Sequence, residues 1–143
     1  MNETGTSRPL VLILAGSESD RAVVEKAEKV LREAGVGYEL EVASAHRTPD
    51  RVAELARGAE GRGFRVVIAA AGLAAALPGV VAAHSRLPVI GLPVAAGALR
   101  GVDALLAIAQ MPPGVPVAAV GIDAGANAAH LALRILGRVD SSR

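Results

Sequence analysis

Leu10-Val11-Leu12-Ile13-Leu14-Ala15-Gly16-Ser17-Glu18-Ser19-Asp20 is an unbroken apolar run that ends abruptly in a Gly-Ser turn. An apolar run of this length, closed by a turn, is the signature of a strand buried on both faces. It follows Arg8 but is too short for the core of a signal peptide, and far short of the ~20 apolar residues that cross a bilayer. Downstream, Val23, Ala27, Val30, Leu31 and Ala34 recur at helical spacing until Gly35 supplies a stop. Tyr38 to Ala43 predicts the second strand. Thr48-Pro49-Asp50 then predicts a helix start, because Thr can cap, Pro suits the first turn and Asp complements the dipole. Val52, Leu55, Ala56 and Ala59 form the apolar face of that helix.

The alternation continues. Phe64 to Ala70, Pro88 to Gly91 and Pro116 to Ile122 predict three further strands, rich in β-branched residues. Ala75 to Ser85, Gly101 to Ala109 and Ala126 to Leu136 predict helices between and after them. Strands separated by helical periods give an α/β fold of three layers, a parallel sheet with helices on both faces. The 143 residues suit a single domain spanning 1–143, with flexible ends at about 1–8 and 138–143.

Hydrophobic residues make up 52% of the chain and charged ones 20%, so a packed core is expected and extended disorder is not. The net charge of +1, with Lys and Arg scattered over helix faces, gives no stripe for nucleic acid. Cysteine is absent, which excludes disulfides, thiolate catalysis and Cys-based metal sites and suits a cytoplasmic, reducing setting. No segment predicts membrane association. Aromatics are only 1% of residues, so the core is built from Val, Leu, Ile and Ala. Such small side chains favour close helix packing and bury little area each, which makes subunit association a plausible further source of burial.

In open parallel sheets, ligands bind beyond the carboxyl ends of the strands. Here those loops are Gly16 to Asp20, Ser44 to Thr48, Ala71 to Pro78, Leu92 to Gly101 and Gly121 to Gly125. The first offers free backbone N–H groups and serine hydroxyls to an anion, or else Ser19 or Asp20 simply caps the following helix. In the second, Arg47 can grip a phosphate in a bidentate contact, while His46, a residue type that changes charge near neutral pH, can move a proton on the bound molecule. The loop could equally be a surface turn with a capping Thr. The third, Gly72-Leu73-Ala74-Ala75-Ala76-Leu77-Pro78-Gly79, contains no acid or base and reads as a close-fitting wall or a helix entry. His84 and His130 lie on predicted helices as ordinary structural histidines. These residues lead to a phosphorylated small molecule and one histidine general acid/base, without naming a reaction.

From about Leu10 to Leu136 the sequence resembles the PurE family, which handles carboxylated aminoimidazole ribonucleotides. Gly-Ser-x-Ser-Asp at Gly16 to Asp20 and Ser-Ala-His-Arg-Thr-Pro at Ser44 to Pro49 are similar to its two signature segments. Further matches are Ala76 to Gly79, Gly101 to Asp103, Gln110 to Val117 and Asn127 to Ala129. The resemblance implies a flavodoxin-like sheet, a homo-octamer with active sites near subunit contacts, and no metal or organic cofactor. By the same resemblance His46 is the catalytic proton shuttle, and Ser17, Asp20 and Arg47 hold the ribose phosphate. Gly16, Ser44, Gly72, Leu73, Ala76 and Leu77 complete the implied substrate site.

The implied activity is that of the mutase branch, conversion of N5-carboxyaminoimidazole ribonucleotide to 4-carboxyaminoimidazole ribonucleotide. CO2 is released from nitrogen in a closed pocket and recaptured by the ring carbon. This chain departs from that branch where mutases usually read Gly-Gly-Ala-Ala-His-Leu-Pro-Gly: Leu73 replaces the second glycine and Ala76 the histidine. The carboxylase branch also lacks the histidine, but usually carries Ser and Asn there. The departure keeps open a carboxylase, a decarboxylase that fails to retain CO2, and a nucleotide-binding paralogue with little turnover. Compensation by His84 is not expected, since eight residues of helix place it roughly 12 Å along the axis from position 76. Many mutases continue with another helix that reaches a neighbouring subunit, whereas this sequence ends at Arg143, which puts the stability of an octamer in question.

Overall fold

The computed structural model describes residues 8–139. Of the ends expected to be loose, at about 1–8 and 138–143, residues 1–7 and 140–143 lie outside the described residues. Five parallel strands form one sheet: β1 (Val11–Ala15), β2 (Tyr38–Val42), β3 (Val66–Gly72), β4 (Val89–Val94) and β5 (Ala118–Ala119), in the order β2-β1-β3-β4-β5. The helices are α1 (Arg21–Glu33), α2 (Pro49–Ala59), α3 (Leu77–His84), α4 (Val102–Ala109) and α5 (Gly125–Leu136). This is the flavodoxin-like arrangement, with its topological switch between β1 and β3.

The period of two along each strand divides the core into two layers. Val11, Ile13 and Ala15 of β1, with Val66, Ile68 and Ala70 of β3, pack under α1 and α5. Leu12 and Leu14, with Val67, Ala69 and Ala71, face α2, α3 and α4. The central strands are therefore buried on both faces, which is why β1 reads as continuous hydrophobicity. Alanine lets the outer helices approach closely: Ala27 of α1 and Ala128, Ala129 and Ala132 of α5 have no exposed surface. No helix among the described residues is long and apolar enough to cross a membrane.

Three predicted boundaries need correction. The third strand is displaced to Val66–Gly72, leaving Phe64 buried in the turn before it. The fourth runs beyond Gly91 to Val94, through Pro93. A proline is tolerated there because the neighbouring β5 has already ended; the Gly91 carbonyl accepts from Val120 N–H, whereas the Pro93 carbonyl on the same side accepts from the Asp123 loop. The fifth strand shrinks from Pro116–Ile122 to Ala118–Ala119, an exposed edge flanked by a Pro-Gly-rich approach and the turn at Gly121.

Candidate active site

The loops after β1, β2, β3 and β4 surround one cavity of about 490 Å³ at the carboxyl edge of the sheet. It lies across the β1/β3 switch, where this topology opens a crevice. The loop after β1 brings Gly16, Ser17 and Asp20 to it; the loop after β2 brings Ser44, His46 and Arg47; the loop after β3 brings Gly72, Leu73, Ala76 and Leu77. Every site residue expected from the sequence therefore lines the same cavity.

After β1 the chain keeps its sheet pairing for one more residue, with Gly16 N–H donating to the Ala70 carbonyl. It then enters a short 3-10 turn, Glu18–Asp20, that leads into α1. Ser17 caps this turn: its Oγ accepts from Ser19 N–H at 3.3 Å and lies 3.0 Å from Ser19 Oγ. The alternative that Ser19 or Asp20 caps the helix is thus corrected, since Asp20 makes no side-chain cap bond to α1. Asp20 is instead buried, with 6% of its surface exposed. Burial pushes its carboxyl above the ordinary carboxylate range, and the backbone N–H of Ser17 partly opposes the shift.

An acid whose pKa is higher folded than unfolded binds its proton more readily in the native state. Its contribution to stability is therefore largest in acid and is lost as pH rises through the interval up to the raised folded value. Asp20→Asn abolishes this titration. The urea midpoint of the native protein, relative to that of Asp20→Asn, is expected to be higher at pH 4 than at pH 7. A difference that is constant between the two pH values would show that Asp20 pays no burial penalty.

The loop after β2 is held by its own hydroxyls. Ser44 Oγ accepts from the backbone N–H groups of His46 and Arg47, at 3.3 and 3.1 Å. Thr48 Oγ1 accepts from Ser44 N–H at 2.9 Å and donates to the Ser44 carbonyl at 3.1 Å. Thr48 occupies the cap position of α2, as its sequence predicts, but its hydroxyl closes the loop and makes no cap bond to the helix. These bonds consume backbone and hydroxyl groups only. The side chains of His46 and Arg47 are exposed and have no hydrogen-bond or ion-pair partner among the described residues. An unpaired guanidinium beside an imidazole, on a loop fixed from beneath, is suited to a dianionic ligand and a proton transfer.

The wall after β3 is apolar. Ala76 takes the N-cap position of α3 without a cap bond, Leu77 is buried, and Leu73 is 53% exposed. Leu73 and Ala75 have positive φ, 54° and 41°. Non-glycine residues in this region cost about 1 kcal/mol each or more. No sequence signal marks them, because such positions ordinarily carry glycine. Ser19, in the turn whose hydroxyls the sequence offers to an anion, and Ala74 and Ala75, in the expected apolar wall, also line the cavity, as do Ala45, Ala71 and Ala96, which no sequence feature marks individually. The alanines carry no chemistry of their own; their place in loops at strand ends was the one available sign. His84 borders a different cavity with Arg57 and Arg86, at the far end of α3, so it does not stand in for a histidine at position 76.

Comparisons with known proteins agree with this architecture. The family described as AIR carboxylase matches residues 10–142. The chain is 55% identical over 132 residues to the N5-carboxyaminoimidazole ribonucleotide mutase of Pyrococcus horikoshii, covering 92% of this chain and 75% of that protein. It is 52% identical over 138 residues to the phosphoribosylaminoimidazole carboxylase of Candida albicans, covering 96% of this chain and 24% of that protein. The crystal structure of Treponema denticola PurE superposes with a TM-score of 0.82 at 34% identity, covering 93% of this chain and 83% of that one. With a family match across nearly its whole length and a 55% identical relative covered over 75% of its own, the chain belongs to the AIR carboxylase, or PurE, family.

Proposed function

We propose that this protein converts N5-carboxyaminoimidazole ribonucleotide to 4-carboxyaminoimidazole ribonucleotide, a step of purine biosynthesis in the cytoplasm. The observation that carries the reading is the unpartnered pair His46 and Arg47 facing one cavity with Ser17 and Asp20. Arg47 and Ser17 take the phosphate. Asp20, an acceptor when ionised, takes the ribose hydroxyls. His46, as imidazolium, gives a proton to the exocyclic nitrogen as its bond to the carboxylate breaks and CO2 leaves. The ring carbon then attacks CO2, and the imidazole removes the proton from that carbon, which restores the imidazolium and the aromatic ring. The relatives named as N5-carboxyaminoimidazole ribonucleotide mutases support this assignment.

A second reading is favoured by one observation: His46 is the sole histidine lining the cavity among the described residues, and Ala76 presents a methyl where a second proton carrier is usual in mutases. A pocket that holds CO2 less well would release it, making the protein a decarboxylase. The test supplies purified protein with the N-carboxylated nucleotide, or with aminoimidazole ribonucleotide plus bicarbonate, and follows both C-carboxylated product and free amine. Conversion of the first substrate faster than its spontaneous decay is the expected result. Product from the second alone would mean a carboxylase, accelerated loss to amine a decarboxylase, and binding without turnover a paralogue.

The active form is a homo-oligomer, an octamer by family resemblance. Leu99, Val102 and Leu106, on α4 and the turn before it, are 60%, 50% and 54% exposed, an apolar surface that subunit association would cover.

A further inference from the structure

Leu73 is a large apolar side chain that the fold does not use for its core. More than half of its surface is exposed, it lines the cavity, and its backbone is held in the left-handed region. Its terminal Cδ2 reaches across to Gly97, where an added Cβ would sit only 2.8 Å from it. Immediately before it, Gly72 is packed so closely that an added Cβ would lie 3.1 Å from the Val94 carbonyl oxygen and 3.3 Å from Ala96 Cβ. The loops after β3 and β4 thus meet in a tight seam, and Leu73 is the side chain laid along it.

The order of the strands fixes where this seam stands. The cavity spans the ends of β2, β1, β3 and β4, with Arg47 on the loop after β2 and the seam at the β3–β4 side. A nucleotide anchored by its phosphate at Arg47 and presenting one edge of its base to His46 on the same loop leaves the rest of that base facing the β3–β4 side. The groups there are Leu73, Ala74, Ala75 and Ala96, all apolar. A flat heteroaromatic ring gains from covering the exposed half of a leucine, whereas a sugar phosphate gains nothing.

We propose that Leu73 is a specificity-determining residue: it packs on the base of the bound nucleotide and adds nothing to the hold on the ribose phosphate. This assignment rests on the proposed nucleotide site and extends it to the identity of the base. Leu73→Ala keeps a Cβ at the same backbone conformation and removes the side chain beyond it.

The test measures dissociation constants of the native protein and Leu73→Ala for aminoimidazole ribonucleotide and for ribose 5-phosphate by calorimetry. The expected result is about fivefold weaker binding of the nucleotide, the scale of losing part of one buried leucine contact, with ribose 5-phosphate changed by less than about twofold. Leu73→Met, which restores length, is expected to recover most of the loss. Equal weakening of both ligands would mark Leu73 as merely structural, and no change in either would remove it from the site; both overturn the proposal. If the native protein binds both ligands and shows the split yet turns nothing over, the proposed activity fails and the assignment of Leu73 stands. If it binds neither, both are wrong.

Discussion

His46→Asn is expected to lower turnover of the N-carboxylated nucleotide by about 10²- to 10⁴-fold, the range for removing a positioned general acid/base. The loop does not depend on the imidazole. Ser44 Oγ receives the backbone N–H groups of residues 46 and 47, and the Ser44–Thr48 bonds close the turn without the His46 side chain. Asparagine keeps a polar side chain of similar reach but can neither give up nor take a proton near neutral pH. Nucleotide affinity is therefore expected to stay within about threefold of the native value, and the urea midpoint to be nearly unchanged, as for most exposed substitutions. A turnover number within about threefold of native would remove His46 from the chemistry.

Arg47→Ala is expected to act the other way, on binding first. The guanidinium is exposed, carries no partner among the described residues and lies beside the start of α2, so its removal leaves no buried charge behind. What is lost is a charge-assisted contact to phosphate, worth about 1.5–3 kcal/mol, or roughly 10- to 150-fold in affinity. The corresponding nucleoside, which lacks the phosphate, is expected to bind native and variant alike. Titrations of both ligands against both proteins check this. An unchanged nucleotide affinity refutes the phosphate role, and an equal loss for the nucleoside points to a collapsed loop.

Much of this architecture is legible in the sequence because burial leaves a strong pattern. Val11 to Ala15 is shielded on both faces and reads as unbroken hydrophobicity. Of the helical series Val23, Ala27, Val30, Leu31 and Ala34, Ala27 and Leu31 are buried together with Val24, whereas Val23 and Val30 are half-buried and Ala34 is exposed, because only one side of α1 meets the core. The strand ends are less legible where the deciding neighbour is distant in sequence. Whether Pro93 can lie in β4 depends on where β5 stops, and nothing local to Leu92-Pro93-Val94 records that. The short β5 is set by the same edge. Thr48 shows a different limit: its type and position fit a helix cap, yet the hydroxyl is captured by Ser44 four residues earlier.

In the candidate site, polar residues announce themselves and apolar ones do not. His46 and Arg47 are rare types next to a helix start, and the Gly16-Ser17 turn follows a buried strand, so their chemistry is readable directly. Ala96 reaches the same cavity only because β4 is longer than its sequence predicts and its following loop packs against Gly72. The left-handed Leu73 is hidden for a physical reason, since its conformation is one that leucine ordinarily avoids.

In the proposed reaction the carboxyl group passes from nitrogen to carbon within one cavity, without leaving for solvent. This transfer is tested by one turnover of the nucleotide carrying a ¹³C-labelled N-carboxylate in unlabelled bicarbonate, with the label in the C-carboxylated product read by mass spectrometry. Product that retains nearly all of the label is the predicted result; product with the isotope content of the bicarbonate, or free amine alone, would contradict it.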